Sequence, residues 1–174
     1  GGLNWNTMCS DCHSTNVKKN YNEKDHSYTT DYAIINVSCE ACHGPGKQHV
    51  SKAVIQGEMY ETDGSMQMTD LGSKELVDAC ARCHSRRENI SLFHTPQGTF
   101  LDHYFPQLIT EPIYHADGQI LDEVYVYGSF VQSKMYQKGV TCTNCHDAHT
   151  TKLKFDGNKL CYQCHNSETY NTKK

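Results

Sequence analysis

All ten cysteines of the 174-residue chain occur in one kind of pair, two thiols three positions apart with a histidine directly after the second. Two thiols at this spacing can form thioethers to one porphyrin, and the histidine that follows then lies under the iron as its proximal ligand. Cys-x-x-Cys-His is the attachment signal of c-type haem. We therefore predict five covalently bound haem c groups at Cys9/Cys12/His13, Cys39/Cys42/His43, Cys80/Cys83/His84, Cys142/Cys145/His146 and Cys161/Cys164/His165.

Two other uses of paired cysteines fit the pattern poorly. A structural zinc ion takes four ligands, commonly from two cysteine pairs, and five pairs do not divide into twos. Disulfides suit an even number of cysteines in an exported chain but do not explain the histidine after every pair.

Six histidines lie outside the motifs, one more than five irons need as distal ligands. We expect four of them to be axial ligands: His49, His103, His115 and His149. His26 and His94 compete for the fifth iron. Methionine is the rival axial ligand, but none of Met8, Met59, Met66, Met68 and Met135 has a distinctive spacing, and methionine more often fills gaps in cores. We therefore expect mostly bis-histidine haems of low potential.

Spacing also indicates which iron a histidine can serve. His149 follows His146 by only three residues, too few to pass around the porphyrin edge, so it should ligate a neighbouring haem. Gly44-Pro45-Gly46 should end the helix of the second motif and redirect the chain. His49 is then expected to reach the next haem rather than its own.

The elements that position these residues are predicted to be short. Helices are expected at 5–13, 48–55, 74–87 and 158–166, several of them starting near Ser, Asp or Asn and ending in a motif. Residues 59–72 read as a loop, and Asp117-Gly118 between apolar runs indicates a β-hairpin. The predicted fold is mainly α with extensive irregular loops and one small hairpin.

Composition explains why haems must organise this fold. Hydrophobic residues make up 37% of the chain and its mean hydropathy is −0.70, which is poor material for a core. Five haems in one chain leave roughly 35 residues each, too few for separate globin-like pockets. We expect a single domain, residues 1–174, around stacked haems, and a largely unfolded apoprotein.

Several segments carry a family resemblance. "NWNTMCSDCHSTN", "INVSCEACHGPGKQHV", "CARCHSRR" and the block from Leu101 to His149 resemble the multihaem c-type cytochromes related to cytochrome c554, including long members that continue into tetratricopeptide repeats. The resemblance implies a helix-and-loop wrapper around stacked haems. It matches His49, His103, His115 and His149 to histidines of the family pattern, but not His26 or His94.

Charge and hydropathy limit location and partners. The formal net charge is −4, which disfavours nucleic-acid binding, and no hydrophobic run approaches membrane-spanning length. Relatives usually carry further sequence before the tryptophan motif, and no signal peptide precedes the first motif here, so we expect that a secretory signal has been removed. Because cytochrome c maturation occurs outside the cytoplasmic membrane, the expected location is periplasmic or extracellular. The expected partners are redox proteins.

Three functions remain open. The first is an electron carrier with five haems in a chain. The second is the same relay as a subunit of an extracellular filament, in which a head-to-tail interface joins copies and a histidine can ligate an iron of the next subunit. The third is an oxidoreductase of small nitrogen or sulfur compounds, which needs one open axial position. Tyr104, Tyr114 and His103 are candidates to line such a pocket, although the histidine supply is enough to close all five irons.

Overall fold

The structure is a computed structural model that describes residues 4–56, 68–91 and 98–170. It is mostly helical with long loops and two small antiparallel sheets. Within these ranges, a π-helix at Trp5–Cys9 and a 3-10 helix at Met68–Asp70 accompany ten short α-helices. The α-helices are α1 (Ser10–His13), α2 (Cys39–His43), α3 (Lys47–Gln56), α4 (Ser73–His84), α5 (Phe100–His103), α6 (Tyr127–Val131), α7 (Lys134–Gln137), α8 (Cys142–Cys145), α9 (Lys159–Tyr162) and α10 (Ser167–Tyr170).

Local chemistry sets several helix ends. At α8, the Thr141 side chain and the Asn144 side chain form a capping box, in which the N–H of Thr141 donates to Asn144 Oδ1 at 2.7 Å. The α2 helix ends at Gly44, whose φ of 78° lies in the left-handed region that glycine tolerates best. The chain then turns and enters α3 at Lys47, as the Gly-Pro-Gly sequence predicted.

Each sheet has two strands. β1 (Tyr21–Asn22) pairs with β2 (Ser27–Tyr28), and β3 (Arg87–Asn89) pairs with β4 (Tyr104–Pro106). Both pairs are antiparallel, with Glu88 opposite Phe105 in the second sheet. This second sheet places β3, which follows the third motif, alongside β4, which follows α5.

The expected hairpin at Asp117-Gly118 forms only as a turn. Gly118 has φ 82° and donates its N–H to the His115 carbonyl at 2.9 Å, but the flanking runs contribute an isolated bridge between Tyr114 and Ile120 rather than strands. The apolar runs are largely exposed, so they lack the buried face that stabilises a two-stranded hairpin. The strands form elsewhere, in the two sheets above.

The predicted helices are found, but two of them end earlier than expected. The helix expected at 74–87 ends at His84, and Arg87 instead lies in strand β3 because its backbone pairs with β4. The segments at 5–13 and 48–55 are helical, and the one at 158–166 is helical over Lys159–Tyr162. Of the loop expected at 59–72, residues 59–67 lie outside the described residues, and Met68–Asp70 is a 3-10 helix.

The core in the described part of the chain is small. Phe100 is fully buried and stacks on Tyr104, with ring centres 5.2 Å apart, and the tilted ring of Tyr127 lies against it at 5.1 Å; Ala81 of α4 completes the cluster. Against six buried hydrophobic residues, nineteen large hydrophobic residues are exposed, among them Leu101, Phe105 and Leu108. No helix in the described ranges is both long and apolar enough to cross a membrane.

Candidate haem-binding site

All five motifs lie on or beside short helical segments. Residues three apart on a helix face the same side, so each helical turn presents its two thiols together and the histidine one position on. Cys39 and Cys42 lie within α2, Cys80 and Cys83 within the last turn of α4, and the remaining pairs on or beside α1, α8 and α9. Four of the five motif histidines are exposed and His43 is half-buried. The polypeptide thus leaves these imidazoles accessible to another group.

The first and third motifs are in direct contact. The Cys12 thiol lies 3.8 Å from the carbonyl oxygen of Cys83 and also shares a hydrogen bond with the Cys83 thiol. That shared hydrogen bond lowers the pKa of Cys12 to about 7 and raises the pKa of Cys83. Two attachment sites separated by some seventy residues in sequence therefore lie side by side.

The third and fourth motifs form a similar contact. The thiols of Cys80 and Cys142 share a hydrogen bond, which lowers the pKa of Cys142 to about 7 and raises that of Cys80. Burial raises the pKa of Cys42, and the nearby positive charge of Arg82 opposes that rise. Motifs one, two and four thus all lie near α4, which carries the third.

The fifth motif follows the fourth. Gln163, between Cys161 and Cys164, donates from Nε2 to the Asn144 carbonyl at 3.4 Å, and Asn144 lies between the cysteines of the fourth motif. The motifs therefore adjoin in the spatial order one, three, four, five, with the second beside the third. This order could not be read from the sequence.

His149 lies opposite a motif histidine. Its ring centre is 6.2 Å from that of His43, and the two planes are within 9° of parallel. The loop that presents His149 is held by Asp147, whose carboxylate accepts hydrogen bonds from the N–H groups of His149 at 3.0 Å and Thr150 at 2.9 Å. Those bonds, with that of Thr150 first, lower the pKa of Asp147. The loop that follows the fourth motif thus lies beside the second motif.

His103 ends α5 next to the third motif. Its carbonyl accepts the N–H of Ile90 at 2.9 Å, in the ribbon that follows His84. In the described part of the chain, the buried Nδ1 of His103 has no hydrogen-bond partner. Leaving a buried polar group without a hydrogen bond costs about 1–3 kcal/mol. Gly98, with φ 107°, faces Nε2 without a side chain. This environment suits an imidazole that interacts with a group beyond the polypeptide.

The other expected distal ligands are less well defined. His49 is half-buried in α3 just after the Gly-Pro-Gly turn, and His115 is exposed on the turn that ends at Gly118. His26 is exposed near the β1–β2 turn with φ 53°, and its Nδ1 lies 2.7 Å from the Tyr21 hydroxyl. His94 falls outside the described residues.

Two functional candidates were missed from the sequence, Asp11 and Arg87. Asp11 lies inside the first motif, and its buried carboxylate pairs with Arg87 from β3. A charged residue between two haem-binding cysteines was the available signal, but its partner lies too far along the chain to be inferred from spacing.

The residues present fit haem c. The thiol pairs and adjacent imidazoles are its donor set. Among the described residues, nineteen large hydrophobic side chains are exposed, against six buried hydrophobic residues. The exposed apolar side chains therefore offer a large surface for porphyrin to cover, while the residues that would hold the groups are the ten cysteines and the histidines described above.

Comparisons with known proteins agree with this donor set. A profile for the doubled CXXCH motif matches residues 134–169, and a profile for cytochrome c554 and c-prime matches residues 2–44; neither covers half of the chain. A search of curated proteins found no significant match.

A solved structure, described as the crystal structure of the outer cell wall cytochrome OcwA, shares the fold. The TM-score is 0.66 at 18% sequence identity, over 97% of this chain and 45% of that one. The present chain thus spans less than half the length of this neighbour. The five Cys-x-x-Cys-His motifs, the two profile matches over parts of the chain and this shared fold together support a multihaem c-type cytochrome.

Proposed function

We propose that the chain holds five haem c groups, mostly with two histidine ligands each, and transfers electrons through them without binding a substrate at iron. Haem c, when bound, supplies a reversible one-electron couple whose potential depends on axial ligands, hydrogen bonding and burial. The chain's own part is to hold the five sites next to one another. The contacts of Cys12 with Cys83 and of Cys80 with Cys142 support that arrangement.

The observation that carries the proposal is the pairing of His43 with His149. An imidazole nitrogen binds a first-row metal at about 2.0–2.1 Å. Two imidazoles sharing one ion therefore have ring centres about 6 Å apart, since each centre lies roughly 1 Å beyond its nitrogen. The ring separation of 6.2 Å and the nearly parallel planes fit this spacing. His43 and His149 are thus the two residues that would hold the iron of one site.

This assignment favours a relay over catalysis. A catalytic iron needs a vacant axial position, and two imidazoles leave none. The remaining assignments are His13, His84, His146 and His165 as proximal ligands, with His49, His103 and His115 as distal ligands and His26 or His94 as the last.

The test is His149→Ala in the holoprotein, with Lys152→Ala in the same loop as the control. We expect His149→Ala to convert one low-spin haem per chain into a high-spin haem that binds carbon monoxide, and Lys152→Ala to convert none. His149→Met should keep that haem low-spin and raise its potential, because methionine ligation favours the reduced state. An unchanged low-spin count in His149→Ala would remove His149 from the ligand set.

We further propose that the protein is exported to the periplasm or the cell exterior and exchanges electrons with redox proteins by transient docking. Haem c attachment outside the cytoplasmic membrane supports this location, and the cell-wall description of the structural neighbour is compatible with it. Fractionation of the producing cells, followed by haem staining, tests the location. Recovery of the holoprotein only in the cytoplasm would contradict it.

A second candidate function is a subunit of an extracellular cytochrome filament. His26 favours it, because this exposed imidazole is held through Nδ1 by Tyr21, as metal-bound histidines are commonly oriented through their second nitrogen. Nε2 of His26 would then ligate an iron in the next copy. Electron microscopy should show filaments of the holoprotein and none of His26→Ala; filaments from both proteins would exclude His26 as the link.

A further inference from the structure

A buried charge network connects the first and third motifs. Asp11 occupies the position before Cys12, and its carboxylate side chain is only 3% exposed. Asp11 Oδ2 lies 2.9 Å from Lys19 Nζ and 3.5 Å from Arg87 Nη1, and it accepts a hydrogen bond from Asn89 Nδ2 at 2.8 Å. Three donors from two distant segments thus converge on one carboxylate inside a haem-attachment motif.

Arg87 extends the network into the third motif. Its side chain is 7% exposed, and its Nε and Nη2 donate to the carbonyl oxygen of Arg82 at 2.9 and 2.6 Å. Arg82 precedes Cys83, as Asp11 precedes Cys12, so Arg87 joins equivalent positions of two motifs. The guanidinium also lies 4.0 Å from the centre of the Tyr104 ring, a cation–π contact that holds it in place.

Burial makes these charges effective at a distance. Coulomb interactions between groups near the protein interior are several times stronger than in bulk water, because the effective dielectric constant is lower. The site at each motif gains one electron on reduction. A buried positive charge nearby therefore stabilises the reduced state, and a buried negative charge stabilises the oxidised state. Asp11, Lys19 and Arg87 together carry one net positive charge.

We propose that Arg87 and Asp11 are positioning residues that set the reduction potentials of the first and third sites and hold these two motifs against each other. This inference rests on the proposed function, since it requires haem at both motifs. Arg87 raises the potential of the neighbouring sites, Asp11 lowers it, and their pairing keeps both charges buried at the contact.

The experiment is a spectroelectrochemical titration of the holoprotein and its charge variants. Arg87→Gln removes one positive charge and should shift the midpoint potential of at least one haem downward. Asp11→Asn removes one negative charge and should shift it upward. The double variant restores the net charge and should lie between the two. Opposite shifts support tuning by charge, whereas shifts of the same sign or none, in protein with a full haem complement, overturn it.

Matched controls separate electrostatics from structure. Arg86 and Asp122 form an exposed pair at 3.6 Å, with side chains 49% and 60% exposed. Arg86→Gln and Asp122→Asn make the same charge changes in water, where screening is strong, and should leave the potentials nearly unchanged. Arg87→Lys keeps the charge but loses the planar fork, so it should keep the potential near that of the wild type while lowering thermal stability. If Arg87→Gln does not accumulate, the proposal is tested with the other two variants. It then requires both an upward shift of the potential in Asp11→Asn and an unshifted potential in Arg87→Lys, and failure of either overturns it.

Failure of the proposed function has a different signature. The mass of the intact wild-type protein counts its covalently attached haems before any variant is made. A mass below that of the chain with five attached haems would contradict the proposed function. A full haem complement with no shifts in the variants would contradict only the role of Arg87 and Asp11.

Discussion

Removal of the haems should abolish the folded state altogether. Among the described residues, six hydrophobic residues are buried and nineteen large hydrophobic residues are exposed. Each large apolar side chain left exposed forgoes about 1.5–3 kcal/mol of the stabilisation that full burial would give. A folded domain is stable by only about 5–15 kcal/mol. The small cluster around Phe100 is far from sufficient to offset that deficit.

The assay compares haem-free polypeptide, made in the cytoplasm without an export signal, with the holoprotein. Far-UV circular dichroism in increasing urea should show a cooperative transition for the holoprotein and a featureless slope for the haem-free chain. Amide hydrogen exchange should show protection only in the holoprotein. A variant that lacks only the attachment cysteines Cys39 and Cys42 should still unfold cooperatively, with a lower free energy of unfolding than the complete holoprotein. Cooperative unfolding of the haem-free chain would refute the reasoning.

Three substitutions test packing in the holoprotein, with the free energy of unfolding in urea as the measurement. Phe100→Ala should lower it by about 3–5 kcal/mol, because a fully buried aromatic ring is lost; a loss below 1 kcal/mol would contradict this packing. Asp78→Ala should cost about 1–3 kcal/mol, since the Asp78 carboxylate accepts the N–H of Phe100, whereas Asp78→Asn keeps an acceptor. Burial raises the pKa of Asp78 in the folded state above its value in the unfolded state. Between these two pKa values the folded state binds more protons than the unfolded state, so the free energy of unfolding falls as the pH rises. Asp78→Asn should remove this pH dependence. Gly128→Ala should lower the free energy of unfolding by about 1–3 kcal/mol, because the added methyl group would overlap the hydroxyl of buried Tyr114. Gly46→Ala should lower it by less, because the nearest atom to its methyl group would lie 3.6 Å away. Equal losses in the two variants would contradict the overlap.

The candidate attachment motifs could be identified from the sequence because the chemistry they would perform is local, and haem attachment at them stays a prediction. Two thiols and an imidazole must lie within five residues, and Gly44 must end the helix that carries them, so spacing alone located both. The mainly helical fold with long loops was confirmed for the same reason. The assignments of His49, His103 and His115 as distal ligands stay predictions. The geometry of His149 opposite His43 supports the expectation that His149 ligates a neighbouring haem rather than that of its own motif.

What the sequence did not predict depends on distant partners. Arg87 has helical neighbours and was placed in a helix, but pairing with β4 and contact with Asp11 draw it into a strand. Asn89 and Asp11 are 78 residues apart, and no periodicity relates them. The β1–β2 pair was missed because its two-residue strands are too short to show alternation.

The small core also bears on the order of assembly. Under the proposed function, a polypeptide that cannot collapse by itself would keep its thiols accessible while it is exported and modified. Each attachment can then proceed on an open segment, and the last one completes the apolar surface needed for compaction. Premature folding, which would hide Cys83 or Cys80 against their neighbours, is avoided by the scarcity of the chain's own hydrophobic residues.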